Sequence, residues 1–214
     1  MNIKNTLIPG AIASLILVPA IAHAGLILDS GTPTGSASYQ LDSTQWFAAE
    51  FNATAGETVN DFAAYLTQGL GQPGNTFTFD VFNASGFTST RVSGTSLTPA
   101  TAVYSATGTF TANGWNSAAA NWAVGTTGSY WVVLEVASAS QSPGLDLTGE
   151  TSATTGTAPA SAFAYYGSGT NGKFTTSGAP AFGVQISAVP LPPTLWLLGG
   201  GLLGFGALAR RRRS

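Results

Sequence analysis

The chain contains no cysteine, and only one histidine and one methionine among its 214 residues. Without cysteine no disulfide can form, so packing and backbone pairing alone must hold the fold. The histidine is His23 and the methionine is Met1, both within an N-terminal segment that reads as removable. Its removal leaves a chain with no imidazole, no thiol and no thioether. A Ser-His-Asp triad, a cysteine nucleophile and the usual thiolate or imidazole zinc sites are thereby excluded.

Charge is also scarce, at 7% of residues, and unevenly placed. The formal net charge of -2 conceals this, because Lys4 and Arg210, Arg211, Arg212 and Arg213 lie at the two ends. All nine acids fall in the middle against Arg91 and Lys173 alone, which leaves that region at about -7 (nine minus two). Such a body is repelled by phosphate backbones and anionic lipid, so nucleic acid is excluded as a natural partner.

Both ends carry targeting patterns. Lys4 supplies a positive n-region, Leu7 to Ile21 an apolar core, and Ala22-His23-Ala24 a small-x-small cleavage site. Signal peptidase is expected to cut after Ala24 and leave Gly25 as the new N-terminus. Pro19 and the shortness of the run disfavour an uncleaved anchor. Residues 1–24 therefore read as a signal peptide for the general secretory route.

At the other end, Val189-Pro190-Leu191-Pro192-Pro193-Thr194 precedes an uncharged glycine-rich run, Leu195 to Ala209, and then four arginines and Ser214. Proline fixes φ and lacks a backbone donor, so this stub is extended and accessible. Leu191 to Ala209 sits at the short end of the length that crosses a hydrocarbon core of ~30 Å. Arg210 to Arg213 read as a cytoplasmic stop. Gly199, Gly200, Gly201, Gly204 and Gly206 would weaken a helix in a soluble core. A plain single-pass anchor is the simplest alternative.

The three parts in this order resemble the PEP-CTERM sorting signal of Gram-negative bacteria. Pro190 and Pro192 match the two prolines of its motif, while Leu191 stands where that family has glutamate. The resemblance implies recognition and cleavage near Val189-Pro190-Leu191-Pro192 by an exosortase, a membrane cysteine transpeptidase. It implies transient anchoring in the inner membrane, followed by delivery to the cell surface or extracellular matrix.

Between the ends, Gly25 to Ala188 amounts to about 165 residues, one domain with room for a real core. Thr, Val, Phe, Tyr and Trp recur in short runs separated by Gly, Pro, Asn and Ser, the signature of strands and turns. Strands are predicted at Ser43–Phe51, Glu57–Thr67, Asn75–Phe82, Ala102–Thr111, Ala119–Val124, Ser129–Ala137, Ser161–Tyr166 and Ala181–Ser187. In the third, Phe77, Phe79 and Val81 alternate with Thr78 and Asp80, which predicts one buried and one wet face. In the second, Val59, Ala63 and Tyr65 supply the alternation. Asn171-Gly172 fits a tight hairpin turn. Asp29 to Ser38 reads as a flexible lead-in, and Ser138 to Ala160 as a long loop. The sum is an all-β fold, a single antiparallel β-sandwich of jelly-roll type.

Trp46-Phe-Ala-Ala-Glu-Phe51, Phe77 to Phe82, and Asn121 to Glu135 with its Trp122…Gly-x-Tyr-Trp131 spacing also resemble the sandwich ectodomains that precede PEP-CTERM tails. That resemblance implies a secreted surface or matrix protein without assigned catalysis.

For chemistry, Lys173 is the one lysine left for a Ser-Lys pair, and a solvated turn is the simpler place for it. Glu50, Asp80 and Glu135 could supply the two carboxylates of a glycosidase, although polar strand faces carry such residues anyway. Trp122 and Trp131 read as core. Trp115, between Asn113-Gly114 and Asn116, reads as exposed, and Tyr165-Tyr166 must place one ring on each face of a regular strand. Trp115, Tyr165 and Tyr166 are therefore the candidates for carbohydrate contact, with exopolysaccharide as the partner. Asp146 and Glu150 could offer loop oxygens to calcium, but no EF-hand pattern is present. No catalytic residue, resident metal or cofactor is expected.

Overall fold

A computed structural model describes residues 24–35, 37–42, 44–67, 73–87, 92–93, 96–97, 102–136, 145–148, 156–167, 170 and 172–190. The strands are β1 (Gly25–Asp29), β2 (Ser38–Leu41), β3 (Trp46–Ala53), β4 (Thr58–Thr67) and β5 (Thr76–Asn83). A one-turn helix, α1 (Ala84–Phe87), comes next, then the short β6 (Val92–Ser93) and β7 (Ser96–Leu97). The chain continues through β8 (Tyr104–Thr109), β9 (Gly114–Ala123), β10 (Gly128–Val136), β11 (Leu145–Thr148), β12 (Ala162–Tyr166) and β13 (Val184–Val189). All eight predicted strands are present.

Apart from β6 and β7, which pair with each other, the strands form two antiparallel sheets. The first has the order β1-β13-β4-β11-β2, with β9 on the other side of β4. The second has the order β12-β3-β10-β5-β8. Aromatic rings join the two. Phe62 of β4 stacks on Phe79 of β5 at 5.5 Å, and Trp122 of β9 meets Phe51 of β3 at 6.5 Å and Tyr130 of β10 at 5.2 Å. With no disulfide available, these large rings carry much of the apolar burial that stabilises the sheets against each other.

A bulge decides which face of β4 is wet. Ser187 pairs with Asp61 but Ala188 pairs with Val59, so Asn60 is an extra residue in the ladder. An extra residue shifts the phase of alternation by one. Val59 faces the core, but beyond the bulge Phe62, Ala64 and Leu66 do so, and Tyr65 is only half-buried. The predicted alternation of Val59 with Ala63 and Tyr65 does not survive that shift.

The second sheet also departs from expectation, because both of its faces are covered. Phe77, Phe79 and Val81 point to the core, yet Asp80 and Phe82 on the opposite phase are buried as well. So are their neighbours Trp131, Val133, Trp46 and Ala48. Part of the cover is Phe87 of α1, whose ring lies parallel to Trp131 at 4.6 Å, and Phe174, 4.7 Å from Phe87. The core assignment of Trp122 and Trp131 holds, the former between the sheets and the latter under α1.

Two predicted irregular segments carry structure. In the predicted lead-in from Asp29 to Ser38, Asp29 is the last residue of β1 and Ser38 the first of β2, and Asp29 and Ser30 are buried rather than flexible. The predicted loop from Ser138 contains β11, which pairs with β2 and with the end of β4. Sequence-local signals were weak there because each is a short strand completed by distant partners. Beside the predicted turn, Lys173 N–H donates to Thr170 C=O at 3.2 Å, Gly172 has φ 74°, and Lys173 is exposed. Asn171 lies outside the described residues, as do Leu191 to Ser214 and the segment up to His23. Among the described residues, no helix is long and apolar enough to cross a membrane.

Candidate functional site

Trp115 is the second residue of β9 and lies directly opposite Tyr65 of β4. Both are half-buried, and their rings meet at a right angle, with centroids 5.6 Å apart and an interplanar angle of 89°. Asn116, the next residue, is buried and holds the approach to the strand. Its side chain accepts from Thr111 N–H and Oγ1 and donates to the carbonyls of Ala112 and Gly114. Tyr65 is set from its other side by Gly183. A Cβ there would stand 2.6 Å from Tyr65 Cβ and 2.9 Å from Pro33 Cδ, so only glycine lets the three come together. Ser117, two residues on from Trp115, hydrogen-bonds Asp61, whose carboxyl is raised by burial and only partly lowered by that bond. Tyr65 was missed as a site residue because the bulge at Asn60 hides its phase.

Tyr165 and Tyr166 lie elsewhere, on β12 at the edge of the second sheet. Both are half-buried, pairing with Phe47 and Trp46 respectively. Tyr166 packs on Trp46 at 5.2 Å and on Phe174 at 6.1 Å. The two tyrosines do take opposite faces, but neither shares a sheet with Trp115. Trp115 and the tyrosines therefore do not form one site.

The carboxylates are partly gathered. Asp80 of β5 and Glu135 of β10 are hydrogen-bonded to each other, and Ser105 of β8 donates to Asp80. Burial raises both carboxyls. Glu135 is pushed up to about 8, by burial first, then by the Asp80 charge and the hydrogen bond to it. At neutral pH the pair thus retains a proton, with Glu135 the donor. Its Oε2 is buried without a partner, as is the Trp46 indole nitrogen. Glycosidase carboxyls stand about 5 to 10 Å apart with sugar or water between them, whereas these two are in direct contact. Glu50 stays apart on β3, opposite Trp131.

Asp29 anchors the other sheet. Its Oδ1 accepts from Gly31 N–H and Gln185 Nε2, and its Oδ2 from Thr157 N–H and Oγ1, at 2.9–3.1 Å. Burial pushes this carboxyl upward, but the hydrogen bonds together outweigh it and hold the group below its ordinary value. The role is structural, tying β1 to β13 and to the 156–158 segment.

The two expected processing points are neighbours. Gly25, the first residue of β1, pairs with Ala188 in β13, and the exposed Ala24 precedes it. Val189 ends β13 opposite Thr58, and the next residue, Pro190, is exposed. Ala22, Leu191, Pro192 and Arg210 to Arg213 lie outside the described residues. For calcium, Asp146 falls within β11, its backbone paired with Gln40 and Thr67, and Glu150 lies outside the described residues. Among the described residues, no three His, Cys, Asp or Glu side chains gather to hold a metal.

A search of curated proteins finds no match to the chain. Residues 188–213 match the family model of the PEP-CTERM protein-sorting motif. The match begins at Ala188, inside β13, so the folded domain runs into the motif without a linker. This is therefore a PEP-CTERM protein, bearing the motif of exported chains that an exosortase sorts to the cell surface.

Proposed function

We propose that the chain is a non-enzymatic, jelly-roll-like β-sandwich that serves as a structural or adhesive component of an exopolysaccharide matrix. Signal peptidase removes residues 1–24, the apolar run from Leu195 to Ala209 holds the chain transiently in the inner membrane, and an exosortase cleaves near Val189-Pro190-Leu191-Pro192. The observation that carries this reading is the sorting motif following directly on β13. The ordering of Gly25 beside Ala188 supports it, since one end of the sheet then serves both processing steps. Intact mass of the protein from its native cells, with and without exosortase, tests it. A species from Gly25 to between Val189 and Pro193, present only with exosortase, is the expected result. A mass retaining Arg210 to Ser214 in both strains would make the tail an ordinary anchor.

A second reading, a carbohydrate-binding module, is favoured by the perpendicular, half-buried Tyr65–Trp115 pair. It is compatible with the first, since an adhesive matrix protein needs a surface that grips polysaccharide.

A further inference from the structure

We propose that the Tyr65–Trp115 corner binds a neutral hexopyranose unit of an extracellular polysaccharide, an inference that rests on the surface-protein reading above. Two aromatic planes at 89°, each keeping part of its surface in solvent, form an L rather than a flat patch. A pyranose has an apolar C–H face and a rim of hydroxyls. The C–H groups carry partial positive charge and stack on the negative face of an aromatic ring. The second ring, at right angles, then limits how the sugar can turn.

The surrounding face suits the hydroxyl rim. Along the same sheet, beyond the two rings, Ala63 and Ala119 are small, and the hydrogen-bonded Ser117 and Asp61 side chains supply polar atoms. Small side chains keep the floor low, so a chain of linked sugars could lie along it. Backbone constraint makes the corner rigid before any ligand arrives: Gly183 seats Tyr65 against Pro33, and Asn116 fixes the start of β9. A preformed site loses less conformational entropy on binding.

Charge selects the class of polymer. The region between the targeting ends has nine acids against two bases, so a uronate or sulfated chain would meet repulsion. Neutral hexose polymers meet none. Position agrees with this. Val189, where the sorting motif leaves the sheet, is opposite Thr58, and Tyr65 lies seven residues further along β4. At the rise of a β-strand that is about 23 Å from the tethered end. The corner is at the far end of the sheet from the attachment point, where a polymer outside the cell can reach it.

The test is affinity electrophoresis of the full chain in detergent, through gels holding hydroxyethyl cellulose or polygalacturonate. Wild type, Tyr65→Ala and Trp115→Leu are compared, the latter keeping an apolar side chain on β9. Thermal unfolding midpoints confirm that each variant is folded. The expected result is retardation of wild type by the neutral glucan alone, and about a tenfold loss of apparent affinity in both variants. Wild type that is not slowed by the glucan, a folded Trp115→Leu that is slowed equally, or retardation by polygalacturonate would overturn the proposal. The sorting reading is tested separately by the processed mass, so either can fail while the other stands.

Discussion

Glu135 on β10 donates a hydrogen bond to Asp80 on β5, and Ser105 on β8 donates to the same carboxylate. Three adjacent strands are thus joined by a proton that neither carboxyl can release cheaply. Releasing it would leave two negative charges in contact under largely apolar cover.

This pair makes stability fall as pH rises. Glu135 has an ordinary value of 4.5 and is pushed up to about 8 in the fold. The native state therefore binds more protons than the unfolded chain within that window. Its contribution is complete below pH 4.5 and is lost as pH climbs through about 8, at up to about 1.4 kcal/mol per pH unit. Glu135→Gln, which still donates to Asp80 but cannot ionise, should flatten the decline. Urea midpoints measured at intervals from pH 5 to 9 show whether the slope disappears.

Asp29 has the opposite sign. Its carboxyl is held below 3.8, so its contribution is present above that value and is lost as pH falls through the lower, folded one. Asp29→Ala would leave the donors on Gly31, Thr157 and Gln185 without their acceptor. A loss of about 3 kcal/mol at neutral pH is expected. Chemical denaturation at pH 7 measures it, and an unchanged midpoint would mean that water replaces the carboxylate at no cost.

Phe87 is the lid on the outer tryptophan of the second sheet. Its ring is 4.6 Å from Trp131 and nearly parallel to it, at 9°. Phe87→Ala should cost about 3 kcal/mol and open Trp131 to solvent. A red shift of tryptophan emission and faster acrylamide quenching are the expected signals. An unshifted spectrum would show that other side chains keep that face dry.

Gly183 has no room for a side chain. A methyl would fall 2.6 Å from Tyr65 Cβ, and neither that atom nor the Pro33 ring can swing away. Gly183→Ala should destabilise by about 1 to 3 kcal/mol, as overpacking does. Thermal unfolding reads this directly, and a wild-type midpoint would require β13 and β4 to separate locally without penalty.

Much of this protein was legible from local pattern. The eight strong strands, the solvated turn lysine and the sorting motif each depend on residues adjacent in the chain, where alternation, turn chemistry and hydropathy act directly. The absence of cysteine, and of any histidine but His23, already limits the chemistry. Burial was legible only by half. Alternation told that Phe77, Phe79 and Val81 share a face, but not that Phe87 and Phe174 would help to cover the other.

Tertiary structure decided the rest, because the deciding contacts join distant residues. Asn60, one residue outside the ladder, turned Tyr65 away from the core and set it beside Trp115. Asp29 looked like part of a loose lead-in until Thr157 and Gln185 closed on it. Gly25 and Ala188 became neighbours through one strand pairing. Sequence alone determined that this is an exported all-β chain marked for sorting. Only the register of its strands determined which carboxyls meet, which rings stay wet, and where the sorting motif leaves the sheet.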